Sequence, residues 1–174
     1  METVHRERLA YWRGAMDLVG PGPLEPHFKD AVHALSWIDW DGAWADLGSG
    51  AGFPGISFAS RHKNSTIDLI ESRRKRSIFL QEVISATDLS NARVLNLRAE
   101  TLEPGSYDGV MSRAFMKPVE YLQMARNLVR ESGVVVLLLA QGVPPDVDGL
   151  DVFHVEHYSL GEKHRQAVGY RRLA

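Results

Sequence analysis

The ten residues from Asp46 to Gly55 contain four glycines and constrain the fold more than any other part of the chain. They read Asp-Leu-Gly-Ser-Gly-Ala-Gly-Phe-Pro-Gly, follow an apolar segment that begins at Trp44, and precede a helix that we expect to open at Pro54. Glycines allow backbone dihedrals that side chains exclude, and the first turn of a helix offers free N–H groups. The run therefore predicts a strand, a tight turn and a helix that together approach a nucleotide-like ligand.

Short apolar segments alternate with amphipathic ones after residue 43, which indicates parallel βαβ construction. The predicted strands are about Trp44–Gly48, Thr66–Glu71, Arg93–Leu97, Tyr107–Ser112 and Val134–Ala140. Two of the connecting helices are expected to bury Phe79, Leu80, Val83 and Ile84, and Val119, Leu122, Ala125 and Val129. The fifth strand is apolar without alternation, so we expect it to be central and buried on both faces.

The ends of the chain complete this α/β pattern. Val152–Leu160 and Gln166–Leu173 have no helix between them and predict an antiparallel hairpin at one edge. Ahead of the sheet, one helical face carries Leu9, Trp12, Met16 and Val19, and a second carries Phe28, Ala31, Val32 and Leu35. We expect residues 1–42 to be an N-terminal helical cover on a core formed by residues 43–174. Five parallel strands, a terminal hairpin and helices on both faces are the Rossmann-like arrangement of class I methyltransferases.

Composition restricts the remaining possibilities. The 174 residues include no cysteine, which excludes disulfides, a thiolate zinc site and a cysteine nucleophile, and suits the cytoplasm. No basic-then-apolar signal stands at the N-terminus, and the run from Val134 to Ala140 is far shorter than the roughly 20 residues that span a bilayer. A net charge of −2 means that nucleic acid would have to be bound by a local patch.

An acidic residue at the end of the second predicted strand narrows the choice of ligand. Glu71 lies 19 residues after Gly52, where a carboxylate can accept hydrogen bonds from ribose hydroxyls. Gly50, Gly52 and Gly55 also satisfy the dinucleotide fingerprint. However, Asp46 would repel a pyrophosphate and suits the positive methionine end of S-adenosyl-L-methionine. The chain is also too short for a separate substrate domain, so we predict S-adenosylmethionine as the cofactor.

The segment Phe53-Pro54-Gly55 within the glycine run resembles the glucose-inhibited division protein B family, the bacterial 16S ribosomal RNA guanine-N7 methyltransferases. Further matching segments follow in the family's order: Glu71-Ser72, Lys75-Arg76, Phe79-Leu80, Arg98-Ala99-Glu100 and Ser112-Arg113-Ala114-Phe115. His27 and Asp30 are similar to the family's histidine and aspartate in the second helix. Where the family commonly has Leu-Lys-Gly after the central strand, this chain has Ala140-Gln141-Gly142 and lacks that cation.

The resemblance implies methyl transfer to N7 of a guanine in 16S rRNA or the small ribosomal subunit. It implies that the glycine turn binds the methionine portion, Glu71 the ribose, and Ala99 with Glu100 the adenine. The predicted cofactor-binding residues are Asp46, Gly48, Gly50, Gly52, Phe53, Pro54, Gly55, Glu71, Ser72, Ala99, Glu100 and Arg113. Arg113 is also the candidate catalytic residue, because it would face both the cofactor and the target base.

Guanine N7 carries a lone pair and no proton, so its methylation needs positioning rather than a general base. We find no Ser/His/Asp set in the sequence that would argue otherwise. The candidate RNA-binding residues are His27, Arg73, Lys75, Arg76, Gln141 and Lys163. Residues 73–76 are all basic and open a predicted helix, where cations oppose the helix dipole. This basic run is either a solvated face or a phosphate-binding patch. His27 either stacks near the substrate or packs and caps its helix.

Two alternatives and two expected absences complete the predictions. Gln141 and the modest charge suit a small-molecule methyltransferase, and a cofactor-binding module without turnover is the second alternative. His154 and His157 are three apart on a predicted strand and should point to opposite faces, so we expect no metal. Nothing in the sequence calls for a membrane or for an oligomer, and we expect a monomer.

Overall fold

Seven strands form a single sheet in the computed structural model, which describes residues 1–174. The strands are β1 (Ala43–Leu47), β2 (Thr66–Ile70), β3 (Ala92–Leu95), β4 (Tyr107–Arg113), β5 (Val129–Ala140), β6 (Leu150–Leu160) and β7 (Lys163–Arg172). Their order is β3-β2-β1-β4-β5-β7-β6, with the first five parallel and β7 antiparallel to both of its neighbours. The predicted parallel core with an antiparallel hairpin is confirmed, and β5 lies inside the sheet between β4 and β7.

Helices cover both faces of this sheet. They are α1 (Glu2–Trp12), α2 (Glu25–Ala34), α3 (Gly55–Arg61), α4 (Arg74–Thr87) and α5 (Pro118–Leu128), with a short 3-10 turn at Ala99–Thr101. Apolar side chains of α1 to α4 share one buried cluster with one face of the sheet, and those of α5 share a second cluster with the other face. The predicted helical cover therefore packs against the same face as α3 and α4.

Two helical predictions are wrong in detail. The first helix ends at Trp12 and does not extend to Val19; the residues after it form turns in which Arg13 donates to the carbonyl oxygens of Gly20 and Gly22. Val119 is 44% exposed rather than buried, since a helix that begins at Pro118 turns it away from the buried Tyr121 and Leu122. No helix in the structure has both the length and the apolar character required to cross a membrane.

The strand order reverses between β1 and β4, which are hydrogen-bonded neighbours with connections leading to opposite sides. In open parallel sheets, ligands bind outside the carboxyl ends of the strands at such a reversal. The carboxyl ends of β1, β2 and β4 therefore mark where a site should be sought.

Candidate active site

A cavity of about 370 Å³ lies at these carboxyl ends, and we call it the glycine-turn pocket. Its walls are Gly48, Ile70, Glu71, Ser72, Arg73, Arg76, Leu97, Arg98, Ala99, Glu100, Ala114 and Phe115. Five of the predicted cofactor-binding residues therefore meet at one cavity although they follow three different strands: Gly48, Glu71, Ser72, Ala99 and Glu100.

The glycines of the turn adopt backbone conformations that side chains disfavour. Gly48, Gly50 and Gly52 have φ values of +69°, +51° and +85°. A Cβ at Gly48 would overlap the ring of Phe115. A Cβ at Gly50 would lie in ordinary contact with the carbonyl oxygen of Gly48 at 3.6 Å and Nη1 of Arg76 at 3.8 Å, and Gly50 is buried and does not line the pocket. Of the glycines in the turn, only Gly48 therefore presents bare backbone to the pocket, as close approach by a ligand requires.

Glu71 links the turn to the start of α4. Its Oε2 accepts a hydrogen bond from the backbone N–H of Gly50 at 3.1 Å, and its Oε1 accepts one from that of Arg73 at 2.8 Å. The residue is only 4% exposed, yet it lines the pocket. Because an ionised carboxylate has about four acceptor positions, two lone pairs remain for hydroxyl donors in the pocket.

Asp46 lies beneath the turn and does not line the glycine-turn pocket. Its Oδ2 accepts a hydrogen bond from the backbone N–H of Gly55 at 3.0 Å, and its Oδ1 is buried without a partner. Burial raises the pKa of Asp46 to about 7. The structure therefore does not show the direct approach to a methionine end that the sequence suggested, because Asp46 points to the sheet face that α3 covers. Gly52, Phe53, Pro54 and Gly55 are likewise buried behind the pocket.

A second cavity of about 390 Å³ adjoins the first, and we call it the Arg113 pocket. It is lined by Leu18, Val19, Gly20, His27, Asp30, Arg113, Ala114, Leu138, Leu139, Ala140, Tyr158 and Arg165. Ala114 lines both cavities and has a left-handed φ of 55°, which is uncommon for a residue with a side chain. The two pockets therefore meet at the residue that follows β4.

Arg113 is held in its pocket by partners from distant parts of the chain. Its Nη1 donates to Oδ2 of Asp30 at 3.1 Å, and its guanidinium carbon lies 4.9 Å from the centre of the Phe53 ring. The hydroxyl of Tyr158 donates to the other oxygen of Asp30 at 2.8 Å. Burial and the neighbouring Asp30 raise the pKa of Tyr158, so this hydroxyl keeps its proton. One carboxylate thus fixes both the cation and the phenol.

His27 belongs to the same pocket. Its ring stacks near that of Phe53, with the centres 6.0 Å apart, and no side-chain hydrogen bond caps the start of α2. Burial, assisted by the charge of Arg113, lowers the pKa of His27, so the ring is neutral at pH 7. His27 therefore does not cap its helix; its ring both packs near Phe53 and lines the Arg113 pocket.

The other candidate RNA-binding residues lie outside the Arg113 pocket. Arg73 and Arg76 line the glycine-turn pocket, and the first turn of α4 has no acidic residue to offset their charge. With Lys75 they also border a hollow beside Asp17. Gln141 lines a separate hollow with His157, Tyr158, His164 and Arg165, and Lys163 begins β7 as an exposed residue.

Reasoning from sequence missed several residues that line the two pockets, among them Phe115, Tyr158 and Arg165. Of these three, only Phe115 had a signal, because it stands in a segment that carried the resemblance. Tyr158 meets Asp30 across 128 residues of chain, and no local pattern marks such a contact. His154 stacks on Trp37 with ring centres 4.4 Å apart, and the structure contains no cluster of three or more residues suited to a metal ion.

The fold and the glycine-turn pocket together define a class I, S-adenosylmethionine-dependent methyltransferase. Solved structures share the fold at low sequence identity. A putative methyltransferase, yhhF from Escherichia coli, has a TM-score of 0.66 and 16% identity over 90% of this chain and 89% of its own. M. jannaschii TYW2 in complex with AdoMet has a TM-score of 0.68 and 16% identity over 91% of this chain and 81% of its own.

The chain belongs to the GidB family, described as rRNA small subunit methyltransferase G, whose family model matches residues 7–148. A ribosomal RNA small subunit methyltransferase G from Erythrobacter litoralis is 31% identical over 90% of this chain and 80% of its own length. The protein of that name from Stenotrophomonas maltophilia is 40% identical over 77% of this chain and 64% of its own length. The predicted family and its cofactor are confirmed.

Proposed function

We propose that this protein transfers a methyl group from S-adenosylmethionine to N7 of a guanine in 16S ribosomal RNA. The observation that carries the proposal is the junction of the two pockets at Ala114. A ligand in the glycine-turn pocket and a base in the Arg113 pocket would face each other across a single residue. Methyl transfer between two bound molecules requires such an arrangement.

The glycine-turn pocket fits the cofactor. Gly48 presents bare backbone, Glu71 retains lone pairs for ribose hydroxyls, and Ala99 with Glu100 lines the same cavity for an adenine. When bound, S-adenosylmethionine supplies a methyl group on a positively charged sulfur. We retain Asp46 and the buried part of the turn as cofactor-binding candidates that act by supporting Gly48 and Gly50.

The Arg113 pocket fits a guanine that reacts at N7. N7 has an in-plane lone pair and no proton, so the pocket has to orient the ring and does not have to remove a proton. Arg113 uses Nη1 for Asp30, and its other N–H groups can donate to O6 of guanine while N7 stays free. The neutral ring of His27 and the apolar Leu138 provide surfaces against which a base can pack.

The basic start of α4 offers a route for the RNA backbone. Arg73, Lys75 and Arg76 lie beside the glycine-turn pocket, and their charge is not balanced by acidic residues in the same helical turn. Phosphate groups would offset this unfavourable placement. We assign these three residues to the RNA on that basis.

The test is the state of 16S rRNA in a strain that lacks this protein. Mass spectrometry of the RNA should show one N7-methylguanosine missing, and the wild-type gene should restore it while Arg113→Ala does not. Other methylated nucleotides in the same RNA serve as the internal control. An unchanged content of N7-methylguanosine would overturn the proposal. In vitro, methylation of free guanosine in place of RNA would favour the small-molecule alternative.

A further inference from the structure

One cation near the Arg113 pocket has no partner within the protein. Arg165 lies on β7, directly opposite Ala140 of β5 and Tyr158 of β6. It lines the Arg113 pocket and also the neighbouring hollow that contains Gln141. Arg165 therefore lines both cavities, as Tyr158 does, at the carboxyl end of β5.

The nitrogens of Arg165 are not satisfied by the chain. Its Nε is buried and has no hydrogen-bond partner, although the residue as a whole is half-buried. Asp30, the one carboxylate that lines the Arg113 pocket, already accepts from Arg113 and from Tyr158. Arg165 itself forms no ion pair, whereas Arg113 in the same pocket does.

An unpaired, partly buried guanidinium is unfavourable unless a ligand compensates it. Its charge reaches across the pocket, because Arg165 contributes to the lowered pKa of His27. Arginine is well matched to phosphate, which its planar group can bind through two N–H groups at once. A pocket that would receive a nucleotide base has to accept the phosphates attached to that nucleotide as well.

We propose that Arg165 binds a phosphate of the RNA backbone next to the nucleotide whose base enters the Arg113 pocket. This inference rests on the proposed function, since it takes RNA as the substrate. It assigns to β7 a contact that positions the nucleotide, while Arg113 orients the base. Arg165 is accordingly a substrate-binding residue that acts before the methyl group moves.

The experiment compares RNA binding by the wild-type protein and Arg165→Gln over a series of salt concentrations. The probe is 16S rRNA from the deletion strain, with S-adenosylhomocysteine present to saturate the cofactor pocket. We expect Arg165→Gln to bind about tenfold more weakly and to have a salt slope smaller by about 0.7 to 0.9, as for the loss of one phosphate contact. Arg165→Lys should keep the wild-type slope because it keeps the charge.

Arg171→Gln is the matched control, because it removes the same charge from the same strand. Arg171 lies over Phe153 and donates to the carbonyl of Ser132, away from both pockets. Its variant should keep the wild-type affinity and slope. If Arg171→Gln lowers the slope as much as Arg165→Gln does, the effect is one of overall charge and the proposal is wrong. Weaker binding by Arg165→Gln with an unchanged slope would also overturn it, because the contact would then be to a base.

A rescue experiment keeps the test decisive. Gln141 is neutral and lines the same hollow, so the double variant Gln141→Lys with Arg165→Gln should recover most of the lost slope.

Folding is checked by thermal unfolding, where Arg165→Gln should be no less stable than the wild type because it removes an unpaired charge. If Arg165→Gln is markedly less stable, Arg165 has a structural role and the proposal fails. A wild-type protein that binds this RNA but forms no N7-methylguanosine overturns the proposed function alone.

Discussion

The glycine-turn pocket and the Arg113 pocket meet at Ala114 but are built in different ways. The first is lined by residues at or after the carboxyl ends of β1, β2, β3 and β4, and its key hydrogen bonds join Glu71 to backbone N–H groups. The second draws side chains from α2, β4, β5, β6 and β7, and its central contact joins residues 128 positions apart. The proposed cofactor side therefore depends on local chain geometry, whereas the proposed substrate side depends on a network of side chains that the whole fold assembles.

The chain also contains a second network of the same composition, which provides a control. Oδ2 of Asp68 accepts hydrogen bonds from Arg93 at 2.9 Å and from the hydroxyl of Tyr107 at 2.9 Å. The Arg93 side chain is 72% exposed, compared with 20% for that of Arg113, and it borders neither pocket of the site. Equivalent substitutions in the two networks separate the effect of position from the effect of losing an ion pair.

The largest effect should come from Arg113→Ala. We expect kcat/KM for methyl transfer to fall by about 10²- to 10³-fold, as for the loss of a donor that orients the reacting group. Cofactor affinity, measured by calorimetry, should stay within about twofold of the wild type. Arg93→Ala should leave both quantities near their wild-type values. A parallel loss of cofactor affinity in Arg113→Ala would show that the two pockets are not separable.

The converse substitution is Glu71→Ala. It removes a charged acceptor from the glycine turn and from the start of α4, so cofactor affinity should fall by about 10- to 100-fold. RNA affinity should stay close to that of the wild type, as measured by filter binding without cofactor. Glu71→Gln keeps one acceptor oxygen and should lose less cofactor affinity. An equal loss in both variants would argue that the charge, and not the hydrogen bonds, stabilises the turn.

A smaller effect should follow from Tyr158→Phe, which tests whether the network positions Arg113. Removing the hydroxyl takes one donor from Asp30, and we expect kcat to fall by about fivefold, as for one lost hydrogen bond, with KM for the cofactor unchanged. Tyr107→Phe removes the matching hydroxyl from Asp68 and should leave kcat unchanged. If both variants lower kcat alike, the effect reflects general loosening of the fold, and Tyr158 has no positioning role.

The same division explains what the sequence could predict. The parallel strands and the hairpin follow from short-range patterns and the structure confirms them, and it brings Gly48 and Glu71 to one pocket. Tyr158 and Arg165 were missed because their environment depends on β6 and β7 packing beside β5 and α2. The end of α1 was also predicted wrongly, and at that end Trp12 donates to Glu82 of α4, a long-range contact that no local pattern shows.

Asp46 was predicted as a ligand-binding residue on its charge alone, but its position depends on which face of β1 it occupies. That face is covered by α3, and the side chain is fully buried. The two buried aspartates of the site therefore differ: Asp30 is paired with a cation, and Asp46 is paired only with a backbone N–H group. This contrast leads to the smallest of the predicted effects, which is a dependence of stability on pH.

Burial raises the pKa of Asp46 in the folded protein from 3.8 to about 7. Below pH 3.8 the carboxyl of Asp46 is protonated in the folded and in the unfolded chain, and its contribution to the stability of the folded protein is fully present. As pH rises toward 7, the unfolded chain has already lost the proton that the folded protein retains, so this contribution is lost. Asp46→Asn should therefore raise the Tm by about 5 °C more at pH 8 than at pH 5.

The difference between wild type and variant at each pH isolates Asp46 from other titrating groups. Burial lowers the pKa of His5 from 6.5 to about 4, so the contribution of His5 to the stability of the folded protein is lost as pH falls, opposite to that of Asp46. His5 is present in both proteins, and its effect cancels in the comparison. Scanning calorimetry at the two pH values gives the comparison directly. An equal change in Tm at pH 5 and pH 8 would mean that Asp46 is already ionised when buried. The glycine turn would then be held by an ionised Asp46 that accepts from the N–H of Gly55. The proposed cofactor side would in that case depend on a charged carboxylate, as the Arg113 pocket depends on Asp30.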